Sequence, residues 1–246
     1  MSLYSDLHSN NRYFEDWYTL VSIGIRVFDD YYYQNALTVA REIASRSAHN
    51  IETLVHRLEQ VGYRFAALPS ITRSSRKWLD SSVMLQTLPI SLLAFYEQID
   101  MADLRGTHPD WRVTGYDINC DDDDTKPLVL TEPLQVLSMQ AQVVEQGFGE
   151  EVLNVAHFHI HISDNIGQRA GDCNVDGGDS MIIPSVGFDA EINQSPTSSQ
   201  MVRSEFFVRY LRRSFAWGGF PGFANVPEEL RPTEMLDYLR EGLLPI

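Results

Sequence analysis

Between Asp29 and Ser47, apolar residues fall at three- and four-residue spacings: Tyr32, Ala36, Leu37, Ala40, Ile43 and Ala44. Arg41, Glu42 and Arg46 occupy the intervening polar positions. That rhythm is the 3.6-residue period of an amphipathic helix. Asn50 then reads as the cap of a second helix, with Ile51, Leu54, Val55, Leu58 and Val61 along one side and Gly62 at its end. Two helices joined so tightly are expected to lie antiparallel. They predict a hairpin in an N-terminal helical unit over residues 1–65, packed on a main α+β domain over residues 66–246.

The pattern changes further along. Pro89 suits a first helical turn, where its missing N–H costs nothing, and Leu92, Phe95, Tyr96 and Ile99 continue as an apolar stripe. Pro127 to Leu130 predicts a short strand, and Pro133 to Glu145 a connecting helix or loop. Leu153 to Ile162 alternates as a strand does, and Met181 to Pro184 predicts another. A long helix is expected from about Met201 to Trp217, stopped by Gly218, Gly219 and Pro221, and a last one from about Thr233 to Glu241. Helices, then strands, then helices, without βαβ alternation, predict an α+β fold: a mostly antiparallel sheet flanked by helices.

Composition narrows the classes. The chain is 43% hydrophobic and 22% charged, which suits a folded globular protein rather than a disordered one. No apolar run approaches the roughly 20 residues of a membrane helix, and the first residues carry no signal-type pattern, so a cytoplasmic location is expected. Cys120 and Cys173, both beside Asp, are expected to be reduced thiols. The formal charge of −15 argues against nucleic acid as a partner, because phosphates need a basic footprint. It favours a basic protein partner, and the run Asp121, Asp122, Asp123 and Asp124 is the candidate contact.

The sharpest candidate for chemistry is the strand carrying His157, His159 and His161. Alternate strand residues share a face, and aligned imidazoles are a known way to hold zinc. The alternation resembles the signature strand of the histidine-triad nucleotide hydrolases and transferases, although Ser163-Asp164-Asn165 follows where that family continues apolar. Asp172-Cys173-Asn174-Val175-Asp176-Gly177 matches the opening of a calcium loop. The twelfth position, however, is Ile183 rather than a bidentate Glu, and the sequence beyond reads as strand, so a polar turn is expected. Arg209, Arg212 and Arg213 read as helix-surface residues, with Glu205 available to Arg209 one turn away. Trp78, Trp111 and Trp217 read as packing residues. So do Trp17, Tyr18 and Tyr31 to Tyr33, with self-association as their alternative role. The sequence contains no G-x-S-x-G, P-loop, H-E-x-x-H or G-x-G-x-x-G.

Leu88 to Tyr96 followed by Gly106 resembles the proline, short helix and glycine segment of the SUKH superfamily, which includes bacterial toxin-immunity proteins. From His108 to Gly222 the chain also resembles a group of bacterial cytosolic proteins, through Gly177-Gly178, Phe188-Asp189-Ala190 and Gly218-Gly219-Phe220-Pro221-Gly222. These resemblances imply an α+β scaffold that binds proteins, and they carry over no catalytic residue. The expectation is a non-enzymatic, immunity-like interaction module without a cofactor. The alternative is a metal-dependent hydrolase or nucleotide-processing enzyme built on His157, His159 and His161.

Overall fold

The computed structural model describes residues 13–65, 88–108, 133–136, 138, 158–163, 179–183, 187–193, 205–225 and 228–246. Helix α1 (Tyr13–Ile23) runs into a 3-10 turn, Gly24–Phe28, and Asp29 turns extended before α2 (Asp30–Gln60). This is the helical hairpin, but its turn lies at 24–28 rather than beside Asn50. The predicted pair of helices around Ser47 to Asn50 is one continuous helix of 31 residues. The reason lies in phase. Ala36, Ala40, Ile43, Ser47, Asn50, Leu54 and Leu58 are buried along a single run of three- and four-residue steps. Ser47 and Asn50 are therefore polar members of one buried stripe. Ser47 Oγ donates to the Ile43 carbonyl (2.8 Å), and the Asn50 side chain leaves the helix altogether.

Helix α2 ends as its sequence predicts, with Val61 N–H donating to the Arg57 carbonyl and Gly62 in the left-handed region. Strand β1 (Arg64–Phe65) follows. Helix α3 (Ile90–Tyr96) starts after Pro89, and all seven of its residues are buried, so it is enclosed rather than striped on one side. Strands β2 (Ala102–Asp103) and β3 (Gly106–Thr107) pair antiparallel with β4 (Gln135–Val136) and β1 respectively. The stretch expected as a connecting helix or loop from Pro133 thus contains a strand.

An antiparallel four-stranded sheet follows in the order β5 (Phe158–Ser163), β6 (Asp179–Ile183), β7 (Glu191–Asn193) and β8 (Glu205–Phe206). The last long helix begins later than its apolar spacing predicts. Glu205 and Phe206 are extended because they pair with Ile192 and Glu191, and α4 (Phe207–Ala216) starts beyond them. Two left-handed glycines close α4: Gly219 N–H donates to the Ser214 carbonyl (2.8 Å) and Gly218 N–H to that of Phe215 (3.1 Å). Short 3-10 turns at Pro221–Asn225 and Glu228–Leu230 lead to α5 (Thr233–Arg240). The α+β fold expected from the sequence is the one observed. Buried apolar residues from Trp17 to Ile246 form one cluster, so the helical hairpin shares its core with the sheet-bearing part. Edge-on aromatic pairs brace that cluster, among them Phe95 with Phe207 (5.2 Å) and Tyr63 with Phe220 (5.7 Å). Among the described residues no helix is long and apolar enough to cross a membrane.

Candidate functional site

The segment 187–190 brings two helix starts together. The first N–H groups of a helix have no partner inside it. In α3 they are taken by backbone: Ile90 N–H donates to the Gly187 carbonyl (3.4 Å) and Ser91 N–H to that of Phe188 (2.8 Å). In α4, Phe207 N–H donates to the Ala190 carbonyl (2.8 Å) and Val208 N–H to Asp189 Oδ2 (3.2 Å). A carboxylate here also meets the positive end of the α4 dipole.

Asp189 is 6% exposed and accepts two further side-chain bonds. Ser91 Oγ donates to Oδ1 (2.7 Å) and Trp17 Nε1 to Oδ2 (2.8 Å), while Ala190 N–H donates to Oδ1 (2.9 Å). Four donors, one from the adjoining Ala190 and three from distant segments of chain, thus converge on one carboxylate. Burial pushes its pKa up to about 6, and the donors from Ser91, Trp17, Val208 and Ala190 pull the other way. Arg212 lies over the Trp17 ring at 4.8 Å from its centroid. Burial lowers the Arg212 guanidinium to about 10, opposed by the Asp189 charge, so it remains protonated at neutral pH. Both carboxylate oxygens are taken up twice within the protein. The chemistry this arrangement supports is the holding together of α1, α3, β7 and α4, with a proton equilibrium in mildly acidic solution.

A second polar cluster lies where α2 and α4 meet residues 242–246. Asn50 Nδ2 donates to the Leu244 carbonyl (2.9 Å), and Leu244 N–H donates back to Asn50 Oδ1 (2.7 Å). Arg46 donates to the Pro245 carbonyl (2.8 Å) and Arg212 to the Ile246 backbone oxygen (2.6 Å). Arg57 donates to the carbonyls of Leu239 (3.0 Å) and Glu241 (2.5 Å).

The residues singled out in the sequence are distributed otherwise. Asp121 to Asp124, Cys120, Cys173, Trp78, Trp111, His157 and the 172–178 segment of the calcium-type loop lie outside the described residues, as does the strand expected at 127–130. His159 and His161 do fall on a strand, β5, where they pair with Ile182 and Ser180 of β6. The intervening Ile160 pairs with Met181, which is fully buried, and the register shifts between His161 and Ser163. The calcium-type loop runs into β6, so Ile183 ends a strand where a calcium loop would enter a helix. Among the described residues no group of three or more His, Cys, Asp or Glu is placed to hold a metal ion.

Arg209, Arg212 and Arg213 do not form one patch. Glu205 is met chiefly by Arg213 (2.8 Å), with Arg209 at 3.9 Å, and Arg212 turns inward to Trp17. Trp17 is buried, whereas Tyr18 and Tyr31 of the aromatic group are exposed. Sequence reasoning named Asp189 and Ser91 only within the resemblances and Asn50 only as a helix cap, not as polar junctions of the fold. Their local signal was an acid and an amide set among apolar neighbours.

Neither a protein-family model, nor a curated protein, nor a solved structure matches the chain.

Proposed function

We propose that this chain is a non-enzymatic, immunity-like interaction module that docks a basic protein partner in the cytoplasm through an acidic surface. The observation that carries the reading is the charge: 34 acidic residues against 19 basic ones, a net of −15. A field of one sign speeds encounter with an oppositely charged protein and disfavours acidic competitors. Several acids on the described surface face solvent, among them Asp30, Glu52, Glu59, Glu228, Glu229 and Glu234. Asp189, by contrast, spends its acceptors inside the fold. Asp121 to Asp124 would add to that negative field.

The test is capture from the source cells, followed by calorimetry with the purified partner at about 50 and 300 mM NaCl. Screening shortens the reach of charges from roughly 14 to 6 Å over that range, and affinity is expected to fall at least tenfold. Replacing Asp121 to Asp124 with Asn is expected to weaken binding at low salt. A partner that is itself acidic, or an affinity indifferent to salt, would refute the reading.

A further inference from the structure

We propose that the outer face of α2 is a self-docking surface, on which a second copy of this chain binds antiparallel through His49, Glu52, His56 and Glu59. The inference concerns association of the chain with itself. It uses two of the surface acids and does not rest on the basic-partner reading.

The four residues stand three, four and three positions apart, and all four are exposed. Such steps keep side chains in one row along a helix. The row runs opposite the buried stripe of Ser47, Ile51, Leu54 and Leu58, on the side of α2 turned away from the core. Histidine and glutamate alternate along it, and each recurs after seven residues. Among the described residues no ion pair engages Glu52 or Glu59, whereas Glu42 is held by Arg46 and Glu97 by Arg41. Nor are three of the four placed to share a metal ion.

The order of charges selects both the partner and its direction. Two copies related by a two-fold axis offer each other the same surface. A seven-residue repeat on facing helices sets the two alternating positions against each other when the helices are antiparallel, and like against like when they are parallel. With the axis level with Leu54, His49 faces the partner's Glu59 and Glu52 faces the partner's His56. Each contact occurs twice, so every histidine meets a glutamate. Parallel helices would set glutamate on glutamate. Histidine N–H groups donate to carboxylates, and protonated histidine does so as an ion pair. With both histidines protonated the row carries no net charge, on a chain of −15 whose excess of acid otherwise drives copies apart.

The test is self-association of the full chain by sedimentation equilibrium at about pH 6, where histidine carries charge, in about 50 mM NaCl. A small polar face associates weakly, so concentrations of about 0.1–1 mM are needed. The wild type is expected to form a reversible dimer. Glu52→Lys sets a lysine against the partner's His56, and His56→Glu sets two glutamates together. Each alone is expected to weaken the dimer about tenfold. Mixed with each other, the two variants are expected to recover it, because every contact is then between opposite charges. Mixing Glu52→Lys with His49→Glu is expected not to recover it, since positions 52 and 49 do not face each other. All three positions are exposed, so each variant is expected to melt as the wild type does. A wild type that stays monomeric at about 1 mM would overturn the proposal. So would single variants that dimerise like wild type, or a matched mixture no tighter than the mismatched one.

Discussion

Trp17→Phe isolates one of the four bonds to Asp189. The ring stays apolar, but the Nε1–H that donates to Asp189 Oδ2 at 2.8 Å is removed. A hydrogen bond to a charged group contributes about 1.5–3 kcal/mol, and the smaller ring leaves a void costing roughly 1 kcal/mol more. The expected loss at pH 7.5 is therefore about 2.5–4 kcal/mol, a large share of the roughly 5–15 kcal/mol that holds a typical domain folded. The loss should also depend on pH. Burial raises the Asp189 pKa from 3.8 to about 6 in the folded protein, and Trp17 is one of the donors that restrain the rise. For a carboxyl raised on folding, the linked stability is complete below the unfolded value near 3.8 and is lost as pH climbs through about 6. Removing the donor raises the folded value further, so the variant loses more as pH rises. The deficit is then largest above pH 7 and smaller by about 1–2 kcal/mol near pH 4.5, where the bond is no longer charge-assisted. Urea unfolding followed by far-ultraviolet circular dichroism at pH 7.5 and 4.5 measures both deficits. Equal deficits at the two pH values, or none at pH 7.5, would show that Asp189 is not the charged acceptor described here.

Three further outcomes follow from the packing and the register. Gly219→Ala forces a side chain into φ +91 and sets its Cβ 2.6 Å from Leu104 Cδ1. It should cost about 2–4 kcal/mol and lower the melting temperature by roughly 4–16 °C in a thermal scan. Gly106→Ala is harsher, because the new Cβ would lie 2.2 Å from the Arg64 carbonyl oxygen, a backbone atom in the paired strand. Its soluble yield should fall well below that of Gly219→Ala, and a yield equal to wild type would contradict the β1–β3 pairing. Among the described residues no ligand set of three or more is placed to hold a metal, so untagged protein dialysed against micromolar zinc should retain well below one equivalent by mass spectrometry. Stoichiometric zinc that disappears in His159→Ala/His161→Ala would instead favour the hydrolase alternative.

Much of the helical framework was legible because its period is local. The apolar steps of α2, the Pro89 start of α3, the glycine stop of α4 and the extent of α5 all lie within a few residues of their causes. The misplaced break at Asn50 has a physical reason. Asn is a capping residue by habit, but here its amide is claimed by Leu244, which lies 194 residues away. The early start expected for α4 failed for a related reason: pairing with β7 keeps Glu205 and Phe206 extended, and apolar spacing cannot register a partner strand. The Asp189 junction was illegible for the same cause, since Trp17 and Ser91 reach it from 172 and 98 residues away. Alternation did place His159 and His161 on a strand, and β6 fixed their register.

The distance along the chain between Trp17 and Asp189 also bears on how the protein is made. During synthesis α3 can cover α2 well before residue 189 appears, but nothing earlier can close the bond from Trp17 of α1. At about 5–20 residues per second, Trp17 waits roughly ten seconds or more for its acceptor. A nascent chain of this design depends on holding chaperones more than one whose first helices complete each other.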